Sequence, residues 1–197
     1  MNPLLVEFFA FQILLQAAIQ PLLHYWQPYF LSINIEVNSS ILGNLFTVYV
    51  ISAAILSAVY AKLSEYNFYK NIYFQAVPLV LFGTCLYFMG EVKSFVSAVV
   101  LFSISQAFLG VVFSIFSSRF NEQVPSKNRA GILSSMSLFS RFGSMASLFV
   151  ISAFKYEGTD KLIKIQNLFK YSSLIYMIIC IMLILTIFVV RMRKRNL

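Results

Sequence analysis

The chain has 197 residues, of which 59% are hydrophobic and only 11% charged, with a mean hydropathy of +0.80 and a net charge of +8. A soluble domain carries about 25% charged residues, so these values exclude an ordinary globular protein and predict an integral membrane protein built as one membrane domain in contact with the lipid bilayer. The positive charge does not point to nucleic acid, because the basic residues are spread through the loops between apolar blocks and do not gather on a soluble face.

The apolar material falls into six blocks close to the roughly 20 residues that a helix needs to cross about 30 Å of hydrocarbon. They predict spans at residues 4–30, 41–63, 72–89, 95–116, 131–154 and 172–190, followed by a basic tail at 191–197. No Lys or Arg precedes the first block and no small-residue cleavage site follows it, so it reads as a span and not as a signal peptide. This block carries Gln12, Gln16, Gln20, His24 and Gln27. At 100° per residue, Gln16, Gln20, Gln27 and His24 lie about 40°, 80°, 60° and 120° from Gln12, all within one third of the helix. Pro21 leaves the carbonyl of Ala17 without its helical donor and predicts a kink. The stripe fits one wall of a polar path that hydrogen-bonds a small-molecule substrate, or else amides that bond neighbouring helices. His24 is the sole histidine. It either relays protons or joins Tyr25, Trp26 and Tyr29 in an aromatic belt at headgroup level.

The second block has small residues at four-residue intervals, Ala53, Ser57 and Ala61, with Ala54 and Ala58 beside them. The fifth has Ser140 and Ser144 with Gly143 and Ser147. Such faces let helix backbones approach closely in lipid. The third and sixth blocks are the bulkiest and least polar, and predict outer, lipid-facing helices. The fourth carries Gln106 among Ser103, Ser105 and Ser114, which makes Gln106 the candidate to face the glutamine stripe across a cavity. Arg141 falls about 15 Å into the fifth span, where it either marks a charge site, snorkels to the cytoplasmic surface or pairs with Glu122. Glu7 lies at the cytoplasmic end, off the stripe.

Cys85 and Cys180 sit inside apolar blocks without a CxxC or histidine-rich context, so neither a metal nor another cofactor is expected. The chain has no G-x-S-x-G, paired intramembrane carboxylates, H-E-x-x-H or P-loop, which argues against an enzyme. Asn38, Ser39 and Ser40 form a glycosylation sequon, meaningful only in a eukaryotic secretory membrane.

Orientation follows from Lys and Arg in the short loops. Lys62, Lys70, Arg119, Lys127, Arg129, Arg191, Arg193, Lys194 and Arg195 fall on one side; Lys93, Lys155, Lys161, Lys164 and Lys170 fall on the other. Nine against five predicts a cell-membrane protein with both termini cytoplasmic. The polar, small, bulky order of the spans repeats after three, which predicts two three-helix units, and an odd-numbered unit inserted twice in succession must be inverted.

Across essentially its whole length the chain resembles the C-terminal half, helices seven to twelve, of a major facilitator superfamily transporter. Residues 61–70, AKLSEYNFYK, align with that family's Gly-x-x-x-Asp-Arg-x-Gly-Arg-Arg loop, with Ala61 at the first Gly, Glu65 at the Asp and Lys70 at the last Arg. Tyr66, Phe68 and Tyr69 replace its other signature residues. Residues 121–130, NEQVPSKNRA, resemble the N-x-x-V-P-x-x-x-R-A run of bacterial efflux-like members, which singles out Pro125 and Arg129. The resemblance implies an all-α membrane fold of six helices in two inverted three-helix repeats, one half of a major facilitator fold. It further implies that the first helix of each triplet lines the cavity, the second packs between halves and the third faces lipid. A complete transporter of this kind has two such halves, so a second six-helix half or a homodimer partner is expected. The alternative is a six-span scaffold or regulatory subunit without a transport path.

Overall fold

The computed structural model describes residues 3–34, 36–63, 72–124, 127, 129–153 and 160–195. Among them the chain is all helical: α1 (Pro3–Ile33), α2 (Ser39–Leu63), α3 (Ile72–Met89), α4 (Phe95–Gln123), α5 (Arg129–Ala153) and α6 (Lys161–Arg195). Local chemistry sets several of the ends. The Asn38 side chain accepts from the Ile41 amide at 3.0 Å and that of Asp160 from the Leu162 amide at 3.1 Å, each relieving an unpaired donor in a first helical turn. Val124 is extended (φ −97°, ψ 118°), as the residue before a proline should be, and α4 stops in front of it.

The helices run close to the predicted spans except at α4, which continues past 116 to Gln123, and at α6, which begins at Lys161 and not at 172 and runs into the expected tail as far as Arg195. Its first turns look like a loop because of Lys164, Gln166, Asn167 and Lys170. They stay helical because Ile165 and Phe169, four apart on one face, are both buried in the core.

The principal helix pairs are α1 with α4, α5 and α6, α4 with α2 and α3, and α3 with α6. They define a row, α5–α1–α4–α2, resting on a second layer made of α6 and α3. Every one of these pairs joins a helix of the first three to a helix of the last three. Exchanging α1 with α4, α2 with α5 and α3 with α6 maps the set of pairs onto itself.

Between the layers lies an apolar core that includes Leu15, Ile19, Leu22, Phe82, Leu86, Phe102, Phe169 and Tyr176. Its rings meet edge to face, Phe82 with Tyr176 at 4.8 Å and Tyr29 with Phe169 at 5.1 Å between centroids. Two glycines let helices in the row touch. A Cβ on Gly110 would stand 3.2 Å from Ala53 Cβ and 2.9 Å from Ser57 Oγ on α2, and one on Gly143 would collide with the Ile13 carbonyl of α1. The small faces expected of the second and fifth spans are therefore used, against α4 and α1 respectively.

Polar contacts tie the layers at one end. Tyr29 Oη donates to the Met89 carbonyl at 2.7 Å, Gln166 Nε2 donates to the Val92 carbonyl at 2.7 Å, and Lys170 Nζ pairs with Glu91 Oε1 at 2.7 Å. Deeper in, Ser173 Oγ donates to the Gly83 carbonyl at 2.7 Å and Ser172 Oγ to the Ala18 carbonyl. Ala18 directly follows Ala17, whose carbonyl loses its helical donor to Pro21, and α1 continues through that proline.

Among the described residues three helices are long and apolar enough to cross a membrane: Ser39–Leu63, Phe95–Ser118 and Lys161–Met182. Large apolar side chains also cover the outside. On α6, Leu174, Ile175, Ile178, Ile181, Met182 and Leu185 are exposed, as expected of an outer helix, while its other face is core. α2 and α5, the two ends of the row, also have open apolar faces, with Ile55, Met145 and Phe149 exposed by 60%, 64% and 75%.

Candidate functional site: a polar groove between two helices

The amides of α1 and the small polar face of α5 meet. Gln12 and Gln16 form one wall of an open groove of about 390 Å³; Leu133, Met136, Ser137, Ser140, Arg141 and Ser144 form the other. The α5 residues recur every three or four positions, so they occupy one helix face. At the Ser144 end, Gln20 Nε2 donates to Ser144 Oγ at 2.8 Å and joins the walls.

Hydrogen bonding sorts the groove into spent and free groups. Ser140 Oγ donates to the Met136 carbonyl at 2.8 Å and Ser144 Oγ to the Ser140 carbonyl at 3.3 Å, both within α5. Among the described residues, Ser137, Gln16 and Arg141 have no hydrogen-bond or ion-pair partner. Gln12 is only 9% exposed and its Oε1 has none either. A buried amide oxygen without a donor costs about 1–3 kcal/mol, a penalty that here falls on Gln12 alone, since Ser137 and Arg141 are exposed.

Arg141 is the thirteenth of the 25 residues of α5, counting from Arg129. At 1.5 Å per residue it lies about 18 Å from either helix end. It is exposed into the groove. A pairing with Glu122 cannot be described, since that side chain lies outside the described residues.

The other expected site residues fall elsewhere. Gln106 is 2% exposed, is not among the residues lining this groove, and its Oε1 has no hydrogen-bond partner. The hydroxyls around it turn inward on α4: Ser103 donates to the Val99 carbonyl at 2.8 Å, Ser105 to Phe102 at 2.8 Å and Ser114 to Gly110 at 3.0 Å. The wall facing the glutamines is thus α5. Beyond Pro21, His24 and Gln27 are exposed, away from the groove. Tyr29 is fully buried and Trp26 stacks on Phe102 at 5.4 Å, so these two aromatics belong to the packing and not to a surface belt. Arg129 Nη2 approaches the Asn121 carbonyl at 3.4 Å, closing the NEQVPSKNRA run on itself. Glu65, Lys70 and Pro125 lie outside the described residues. Among the described residues no three His, Cys, Asp or Glu side chains gather as metal ligands.

Ser137 escaped the sequence reading, although Ser137 and Arg141, four apart on one helix, carried the signal. Comparison with protein-family models, curated proteins and solved structures returns no match.

Proposed function

We propose that the chain is a six-span half-module of a secondary transporter, moving small molecules across the cell membrane by alternating access together with a second six-helix half or a homodimer partner. The observation that carries the reading is the α1–α5 groove, which gathers free polar groups and a cation halfway along a 25-residue helix. The exchange pattern of the helix pairs supports two inverted three-helix repeats of major facilitator type. The apolar outer faces of α2 and α5 support a further covering half, since they close the two ends of the row and no described residue covers them. The Lys and Arg distribution supports cytoplasmic termini.

Two measurements test it. A cysteine at Gln16, in a chain with Cys85 and Cys180 replaced by Ala, is expected to react in native membranes with an impermeant thiol reagent, whereas a cysteine at buried Phe102 is not. Equal protection of both favours the six-span scaffold instead. Reconstituted as a strict monomer, the chain is expected to give no gradient-driven uptake, and robust uptake overturns the half-module reading.

A further inference from the structure

We propose that the groove binds an amphipathic organic anion: a carboxylate held by Arg141 and Ser137, an adjacent hydroxyl donated to Gln12 Oε1, and an apolar body over Leu133 and Met136. The inference rests on the transport reading only in taking the groove as a ligand site. Its chemistry comes from which groups remain free.

Arg141 is the charged side chain of the groove, and no acid is among the described residues that line it. A guanidinium held midway along a helix of membrane length is costly unless paired, and its planar fork matches a carboxylate. Ser137 sits one turn before Arg141 on the same face, with its hydroxyl unspent, whereas Ser140 and Ser144 already donate to their own helix. Those two free donors call for an oxyanion.

Gln12 asks for the opposite. Its Oε1 is buried, accepts only and has no donor, a need that a carboxylate cannot meet and that a neighbouring hydroxyl meets once the amide turns toward the groove its side chain lines. Met136 and Leu133 lie five and eight residues before Arg141, about 7.5 and 12 Å along the axis, which leaves room for an apolar body extending from a carboxylate held by the guanidinium. The volume of about 390 Å³ suits a small molecule. A lipid phosphate shares the oxyanion chemistry, but Arg141 lies about 18 Å from either helix end, far below the headgroups.

The test is calorimetric titration of the purified chain in lipid-free non-ionic micelles with three matched probes. Mandelate has the charge, the hydroxyl and the ring; phenylacetate lacks the hydroxyl; 1-phenylethane-1,2-diol lacks the charge. Mandelate is expected to bind, phenylacetate about 5- to 10-fold more weakly, and the diol not measurably. Arg141→Gln is expected to weaken mandelate about 10- to 100-fold, Arg141→Lys less, and Gln12→Met to bring mandelate down to the phenylacetate level. Helical circular dichroism and elution volume report whether each variant folds, and the three-probe series on the unmodified chain stands even if one does not.

Failure of mandelate to bind, equal binding of mandelate and the diol, or indifference to Arg141→Gln would each overturn the proposal. Arg141-dependent binding of phosphatidylglycerol that displaces mandelate would assign the site to lipid and overturn it too. Mandelate binding in a chain that transports nothing with any partner half would sink the transport reading and leave this one standing. Uptake of neutral or cationic solutes without mandelate binding would do the reverse.

Discussion

Substituting Gly143 by Ala tests the close approach of α5 to α1. The added Cβ would meet three atoms of Ile13: its carbonyl oxygen, its carbonyl carbon at 3.1 Å and Cγ2 at 3.1 Å. Two of the three are backbone, so no rotamer change relieves the overlap and α1 and α5 must separate. Overpacking of this kind costs about 1–3 kcal/mol. Alanine also favours a helix over glycine by about 1 kcal/mol, which would mask part of the loss. Gly43→Ala in α2 cancels that term, because a Cβ there meets nothing within 4 Å. The difference between the two variants is then the repulsion alone, about 1–3 kcal/mol. Reversible unfolding in mixed detergent micelles, followed by circular dichroism, measures it. If Gly143→Ala and Gly43→Ala prove equally stable, α1 and α5 do not touch as described and the groove loses its second wall.

Two further substitutions probe what the buried polar groups do. Tyr29→Phe removes the donor that satisfies the Met89 carbonyl, the last of α3, and should cost about 1–2 kcal/mol while speeding amide exchange at Gly90, Glu91 and Val92. Unchanged exchange there would count against Tyr29 as a cap. Gln106→Met exchanges a buried amide with an unpaired oxygen for an apolar chain of similar size, so stability should hold or rise by up to about 1 kcal/mol with mandelate binding unaffected. A loss of binding would return Gln106 to the groove.

The helical pattern was legible because apolar blocks of membrane length announce themselves locally; α3 starts and ends where the sequence places it. The early start of α6 was not legible. Gln166 and Lys170 look like loop residues until Val92 and Glu91, more than 70 positions away, are seen to take up their polarity. The glutamine stripe has the same limit. Helical periodicity says which face of α1 is polar, and Gln12 and Gln16 do line the groove, but it cannot say which neighbour that face meets. Gln106 was a reasonable choice by residue type. Its helix, however, spends its hydroxyls on its own carbonyls, whereas α5 carries an uncommitted Ser137 and Arg141. Past Pro21 the stripe fails altogether, with His24 and Gln27 exposed.

The helix pairing also bears on how the chain is made. No principal contact lies within the first three helices or within the last three. A ribosome that has delivered only α1 to α3 has therefore delivered no packing surface that can close, and the amides of α1 wait without α5 until the fifth helix arrives. The two triplets clasp like interlaced fingers, so assembly is late and cooperative. A break in the α3–α4 turn would yield two fragments that have to find each other before either has a core.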